Sequence, residues 1–220
     1  MKTAVITGAN RGIGLALSQQ LADKGWDIIA VCRTDSDEIE AIANMVISGI
    51  DVTNSEHVDQ VKKIIGDHQI DLLINNAGLL GDEQLGNIDY DSMRAQFEIN
   101  TLAPLRVTET LLPNMVEGSK IANITSRMGS IADNDSGGRY GYRASKAAFN
   151  AIGKSLAEDL KTRGIAVAQL HPGWVQTRMV NFGGLITPEE SAAGLIARIE
   201  ELTLANTGGF WHSNGEQLPW

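Results

Sequence analysis

The sequence predicts one α/β domain spanning all 220 residues, built as a doubly wound parallel sheet of about seven strands. Three observations carry that expectation. Short β-rich runs alternate with longer helix-period segments along the whole chain, the pattern of strands joined by crossover helices. The β-rich runs are mostly apolar throughout, as strands must be when helices cover both faces of the sheet. No linker, repeat or shift in composition divides the chain, and its length suffices for one sizeable core.

The first strand is expected at Thr3–Thr7, followed at once by Thr7-Gly8-Ala9-Asn10-Arg11-Gly12-Ile13-Gly14 and a helix-period run from Leu15 to Lys24. Glycine permits a tight turn and removes side chains that would keep a pyrophosphate from the amides and positive dipole end of the helix. Gly8, Asn10, Arg11, Gly12, Ile13 and Gly14 are therefore candidates to hold a dinucleotide. The second strand, Asp27–Cys32, ends where an acidic side chain would recognise a free ribose 2′-hydroxyl. Cys32 occupies that position and Arg33 follows it. Arg33 and Arg11 can clamp a 2′-phosphate with planar guanidinium forks, which favours NADP(H). Asp35 and Asp37 are the acidic alternatives.

A third strand is expected at Met45–Ile50, and the next helix at Thr53-Asn54-Ser55-Glu56, with Thr53 as its cap. Asp71–Asn75, Lys120–Thr125, Ile165–His171 and Gly209–Trp211 supply the remaining strands. Between the fourth and fifth lies a helix-like stretch over 92–112 that contains Pro104, which has no amide hydrogen to give to the carbonyl of Asn100. Thr187-Pro188-Glu189-Glu190 opens the last helix with a Thr cap, a first-turn Pro and a Glu placed to cap in return.

A formal net charge of -9 excludes nucleic acid and anionic membrane as partners, because both demand a basic face. Met1-Lys2 leads straight into the first strand without an apolar leader, and no run of eighteen apolar residues follows. The single cysteine, Cys32, can form no internal disulfide. A cytoplasmic location is the expectation. The four histidines lack ligand spacing, so no metal site is expected.

The glycine loop, Asp51-Val52-Thr53, Asn75-Asn76-Ala77-Gly78, Asn100, Ser126, Tyr142-x-x-x-Lys146 and Pro172-Gly173 stand in the order seen in the short-chain dehydrogenases/reductases, which the chain resembles over essentially its whole length. The runs 126–134, 137–146 and 208–220 resemble the C-factor-like and sniffer-like carbonyl reductases within that family. The resemblance implies a Rossmann-type fold and hydride transfer between NADP(H) and a carbonyl or alcohol carbon. It implies that Asp51 and Val52 meet the adenine, that Asn75, Ala77 and Gly78 support the ribose and the central strands, and that Pro172, Gly173, Val175 and Thr177 lie against the nicotinamide. It places a water at Asn100 as a proton relay from Lys146 to solvent. It also implies a homodimer, with a tetramer as the larger alternative, through the helices over 92–112 and 142–161.

The chemistry has its own reading from the residues. Tyr142 and Lys146 are four apart, on one helix face. Bringing an ordinary phenol from ~10 to neutrality takes roughly 4 kcal/mol, and an ammonium about 4.5 Å away in an effective dielectric of about 20 supplies most of it. Tyr142 is thus the expected general acid and base, with Lys146 tuning it and holding the nicotinamide ribose. Ser126 closes the fifth strand and can donate to the substrate oxygen; Ser130 is the fallback. Tyr140 has no lysine four residues on and is read as packing, and His171 as a strand end. The short segment between Thr177 and Thr187 predicts an open pocket with Leu80, Met128, Trp174, Met179 and Phe182 as apolar lining, suited to a hydrophobic aldehyde or ketone. The Trp-rich tail from Phe210 to Trp220 is expected at an interface. A regulatory protein that binds NADP(H) without catalysis is the rival function.

Overall fold

The structure, a computed structural model, describes residues 1–220. Seven parallel strands form one sheet in the order β3-β2-β1-β4-β5-β6-β7. They are β1 Thr3–Thr7, β2 Asp27–Val31, β3 Met45–Ile47, β4 Ile70–Asn75, β5 Met115–Ile124, β6 Ala166–His171 and β7 Gly209–His212. The helices are α1 Gly12–Asp23, α2 Asp37–Ile42, α3 Ser55–Ile65, α4 Tyr90–Phe97, α5 Ala103–Leu111, α6 Tyr140–Leu160 and α7 Pro188–Glu201. Strand order reverses between β1 and β4, and ligands of such sheets bind beyond the carboxyl ends of the strands at that switch point.

The apolar runs read from the sequence are explained by two buried layers. Ala4 and Ile6 point into one layer with Leu17 and Leu21 of α1 and Leu195 and Ile196 of α7. Val5, between them, points into the other with Val58 and Val61 of α3, Leu111 of α5 and Leu160 of α6. Neighbouring residues of one strand therefore need to be equally apolar.

Several boundaries differ from the sequence expectation. β3 ends at Ile47, because Gly49 takes a left-handed φ of 76° and turns the chain. β5 begins at Met115, earlier than expected; its first half carries exposed Glu117 and Gly118, and its register against β4 shifts between Ile70 and Leu72. The cap of α3 is Asn54, whose Oδ1 accepts from the amides of Glu56 at 2.9 Å and His57 at 3.4 Å. Thr53 is committed elsewhere, giving both its amide (3.0 Å) and its hydroxyl (2.7 Å) to the Asp51 carboxylate. The capping box of α7 is as expected, with Glu190 N donating to Thr187 Oγ1 at 3.2 Å and Thr187 N to Glu190 Oε2 at 2.8 Å.

The stretch over 92–112 is two helices joined by a wide π turn, Glu98–Leu102, in which Ala103 N reaches back to the carbonyl of Glu98. The tail packs on its own chain. Phe210 is buried, the Trp220 ring stacks on it at 5.2 Å, and the Trp220 carbonyl accepts from Ile131 N (3.1 Å), Ala132 N (3.0 Å) and Ser130 Oγ (3.0 Å).

Candidate active site

At the end of β1 the backbone closes on itself. A β-carbon on Gly14 would stand 2.2 Å from the Gly8 carbonyl oxygen, so no other residue fits without moving the loop. Asn76, just past β4, locks the turn by donating Nδ2–H to the carbonyls of Thr7 (3.0 Å) and Gly8 (3.1 Å). The Thr7 hydroxyl in turn accepts from the amides of Asn76 (3.0 Å) and Ala77 (3.1 Å). Asn76 was legible only as a strand-end residue; its partnership with the glycine loop comes from β1 and β4 being neighbours in the sheet.

The residues fit a dinucleotide. Ser36, Asn54, Asp89 and Thr187 cap α2, α3, α4 and α7, whereas α1 starts with no capping side chain and no acid in its first turn. Its amide end is open to an anion. Gly12 (φ 54°) lies 3.4 Å, measured from an added β-carbon, from Thr177 Cγ2, so the loops after β1 and β6 meet over one crevice. Ile13 packs partly against the core, and the Asn10 carbonyl accepts from Ser36 Oγ at 3.2 Å. Arg11 and Arg33 are exposed, and neither joins an ion pair within the chain. Both guanidinium groups are available to a phosphate. Asp37, one of the acidic alternatives, sits in the first turn of α2.

Along the crevice, the Thr53 amide and hydroxyl hold the Asp51 carboxyl below its usual range. Val52 is buried, and Arg106 donates to the carbonyls of Val52 (3.4 Å) and Thr53 (3.0 Å). Asn75 serves the central strands. Its Nδ2 donates to Thr108 Oγ1 (3.0 Å) and Asn123 Oδ1 (2.9 Å), and the ladder continues from Asn123 to Gln169 (2.7 Å) and from Gln169 to the Phe149 carbonyl (2.8 Å). The side chain ties β4 to β5 inside the protein, because the last residue of the strand points to the helix side. Gly78 must lack a side chain: a β-carbon there would meet Asn100 Oδ1 at 3.0 Å and Lys146 Nζ at 3.8 Å.

Past β6, the Pro172 carbonyl accepts from Ser191 Oγ (2.7 Å) and Ser213 Oγ (3.2 Å). Gly173 then turns with φ 91°, a β-carbon there falling 2.8 Å from Ile186 Cδ1, and buried Val175 bridges to Ile186.

The structure brings Ser126, Tyr142 and Lys146 together. Ser126 is buried after β5, its Oγ accepting from Met128 N at 3.1 Å. Lys146 Nζ lies 5.8 Å from the Tyr142 ring centroid and donates to the Ile124 carbonyl at 3.0 Å. Burial pushes Lys146 down to about 7. Burial likewise raises the Tyr142 phenol above its ordinary value, against the lowering effects of hydrogen bonding with Ser126 and the charge of Arg139. The pair shares a face, with Lys146 Nζ turned to the Ile124 carbonyl. A phenol so placed is protonated at neutral pH and can serve as an acid.

Ser130 is not a substitute for Ser126, because its hydroxyl donates to the Trp220 carbonyl and accepts from Asp133 N at 3.1 Å. Asn100 is buried in the π turn beside this group, its side chain held by Leu79 and by Ser145 Oγ at 3.0 Å. Trp174, Met179 and Phe182 are exposed rather than core, while Leu80 and Met128 are half-buried. Tyr140 is exposed at the start of α6. His171 packs edge-on against His212 at 4.8 Å.

Comparison with known proteins agrees with this fold. The family model described as short chain dehydrogenase matches residues 2–183. A 1-hydroxy-2-glutathionyl-2-methyl-3-butene dehydrogenase of Rhodococcus sp. (strain AD45) is 42% identical over 226 residues, covering all of both chains. Among solved structures, the carbonyl reductase Sniffer of D. melanogaster superposes with a TM-score of 0.92 at 29% identity, covering all of both chains. The NADPH-bound carbonyl reductase from chicken fatty liver gives 0.90 at 28% identity, covering 100% of this chain and 99% of that one. No helix is long and apolar enough to cross a membrane.

Proposed function

The chain belongs to the short chain dehydrogenase family, and from that premise we propose that it is an NADP(H)-dependent carbonyl reductase acting on small aldehydes or ketones with hydrophobic substituents. The observation that carries the reading is the joint placement of Ser126, Tyr142 and Lys146 at the end of β5 and the start of α6, facing the crevice that the glycine loop opens.

The open amide end of α1 and the Gly8–Gly14 loop would hold the pyrophosphate, and Arg11 and Arg33 the 2′-phosphate. Asp51 and Val52 lie toward the adenine, Ala77 and Gly78 beneath the ribose, and Pro172, Gly173, Val175 and Thr177 along the nicotinamide. When bound, the cofactor supplies or takes up the hydride. Ser126 donates a hydrogen bond to the substrate oxygen where negative charge develops, and Tyr142 gives that oxygen its proton. Lys146 holds the ribose and stabilises the phenolate left behind, and the Asn100 turn lies on the route by which the proton is restored. The exposed Trp174, Met179 and Phe182 flank an open mouth.

The helices over 92–112 and 142–161 support a homodimer, whose formation light scattering measures. A cytoplasmic location goes with the single buried cysteine.

NADPH oxidation against a panel of aldehydes and quinones, run with wild type and Tyr142→Phe, tests the proposal. The expected result is turnover by wild type and a loss of about a hundredfold or more in the variant, with cofactor binding retained. Equal, negligible turnover by both proteins despite cofactor binding identifies a regulator instead.

A further inference from the structure

An open cavity of about 380 Å³ lies between the loop after Ser126 and the start of α6, lined by Gln84, Met128, Ser136, Arg139 and Arg143 together with Gly137 and Gly138. Only one of its lining residues is hydrophobic. Met128 joins it to the catalytic group, since its amide donates to Ser126 Oγ. Arg139 joins it as well: its positive charge is felt by the Tyr142 phenol.

The cavity wall is built at a conformational cost. Gly137, Gly138 and Arg139 follow one another with φ of 63°, 64° and 50°, all left-handed. Glycine takes that conformation freely, whereas an arginine there is strained. The strained backbone is held by a 2.8 Å hydrogen bond from Arg139 N to the Glu83 carbonyl. What the arginine contributes in return is a guanidinium at the rim.

One of the two cations at the cavity is unpaired. Arg139 pairs with Asp82 at 3.3 Å. Arg143 has no acidic partner; its guanidinium is aimed by a 2.8 Å hydrogen bond to Ser136 Oγ and a 3.3 Å bond to the Gly137 carbonyl, leaving its other donors free. Asp135 of the same loop does not line the cavity. Arg143 stays unpaired although the Glu83 carboxylate is buried at the start of the same helix, because uncharged donors hold that carboxylate. One fixed cation with spare planar donors matches a single carboxylate better than a dianionic phosphate.

We propose that this cavity is a subsite for a carboxylate carried by the carbonyl substrate, with Arg143 as the receiving group and Arg139 and Gln84 at its rim. The inference rests on the assignment of Tyr142 and Ser126 to the reacting oxygen. It extends the substrate class from hydrophobic carbonyls to carbonyls bearing an anionic tail.

The test compares kcat/KM for 4-carboxybenzaldehyde with that for benzaldehyde, in wild type and in Arg143→Gln, Arg143→Glu and Arg143→Lys. Wild type is expected to favour the carboxylated aldehyde by about tenfold or more, as one charge-assisted hydrogen-bonded pair provides. Glutamine should bring the ratio towards one, glutamate should invert it, and lysine should keep part of it. A wild-type ratio near one, or a ratio that Arg143→Glu leaves unchanged, overturns the proposal. If neither aldehyde is reduced, the catalytic assignment has failed rather than the subsite. Calorimetric titration of the NADP-loaded protein with 4-(hydroxymethyl)benzoate then decides: binding lost in Arg143→Glu upholds the subsite, and binding equal in both proteins or absent from wild type refutes it.

Discussion

The side chain of Asn100 makes two hydrogen bonds to the main chain of one residue, Leu79: Oδ1 accepts from Leu79 N at 2.9 Å and Nδ2 donates to Leu79 O at 2.8 Å. Only an amide has a donor and an acceptor spaced for that task. The pairing fixes the loop after β4 against the π turn, one residue beyond the Gly78 that packs beside Lys146. Asn100→Ala should lower unfolding free energy by about 2 kcal/mol, the order expected when part-buried partners are stranded. Asn100→Asp should cost a similar amount, because the carboxylate cannot donate to Leu79 O or Ser145 Oγ. Urea unfolding measures both.

Removing the phosphate clamp should change cofactor preference without touching the chemistry. Arg33→Ala and Arg11→Ala are each expected to raise KM for NADPH about tenfold, the weight of one charged hydrogen-bonded pair, and to leave KM for NADH nearly constant. Steady-state kinetics with both cofactors check it; parallel increases for the two would remove the 2′-phosphate from the argument.

Stability should fall on mild acidification, and His171 is a main cause. Burial, then the neighbouring His212 and Arg127, push it from 6.5 down to about 3. The fold rejects the protonated form, so between pH 6.5 and about 3 the unfolded chain binds the extra proton and stability drops as pH falls. From pH 6.5 to 5 the loss is about 2 kcal/mol. His171→Asn should flatten that slope; His212, shifted in the same direction by its own burial, leaves a residual one. Chemical denaturation at several pH values reads the difference.

Glu83 is a buried carboxylate without a cationic partner, accepting from Ser92 Oγ (2.8 Å), Gln96 Nε2 (2.5 Å) and the Gly141 amide (3.2 Å). Burial pushes its pKa up, but the donors from Ser92, the main chain and Gln96 together hold it below the usual range. It pins the start of α6 one residue before Tyr142. Glu83→Ala should destabilise by about 2 to 3 kcal/mol, because three donors lose their acceptor, and should lower kcat by loosening the phenol. Thermal unfolding and turnover with NADPH measure the two effects.

Much of this was legible in the sequence because local pattern and global arrangement agree. The strand-turn-helix of Thr3 to Lys24, the capping box at Thr187 and the one-turn spacing of Tyr142 and Lys146 are short-range signals that the fold preserves. What escaped was long-range. The partners of Asn75 were not legible, because nothing nearby reveals that Thr108 and Asn123 wait inside the protein. The grip of Asn76 on Gly8 needs β1 and β4 side by side, and Glu83 was passed over because its three partners lie 9, 13 and 58 residues away. The burial that raises the Tyr142 phenol was not legible either, because spacing gives the neighbour of a phenol but not how much water surrounds it.

The staple between Trp220 and residues 130–132 couples the reactive side of the molecule to a distant part of the chain. The loop that follows Ser126 receives its backbone acceptor from a carbonyl more than eighty residues further along. Trp220→Ala, which removes the ring from Phe210, should therefore loosen the loop beside Ser126 while the turn between β1 and β4 keeps its protection, a difference that amide hydrogen exchange reads.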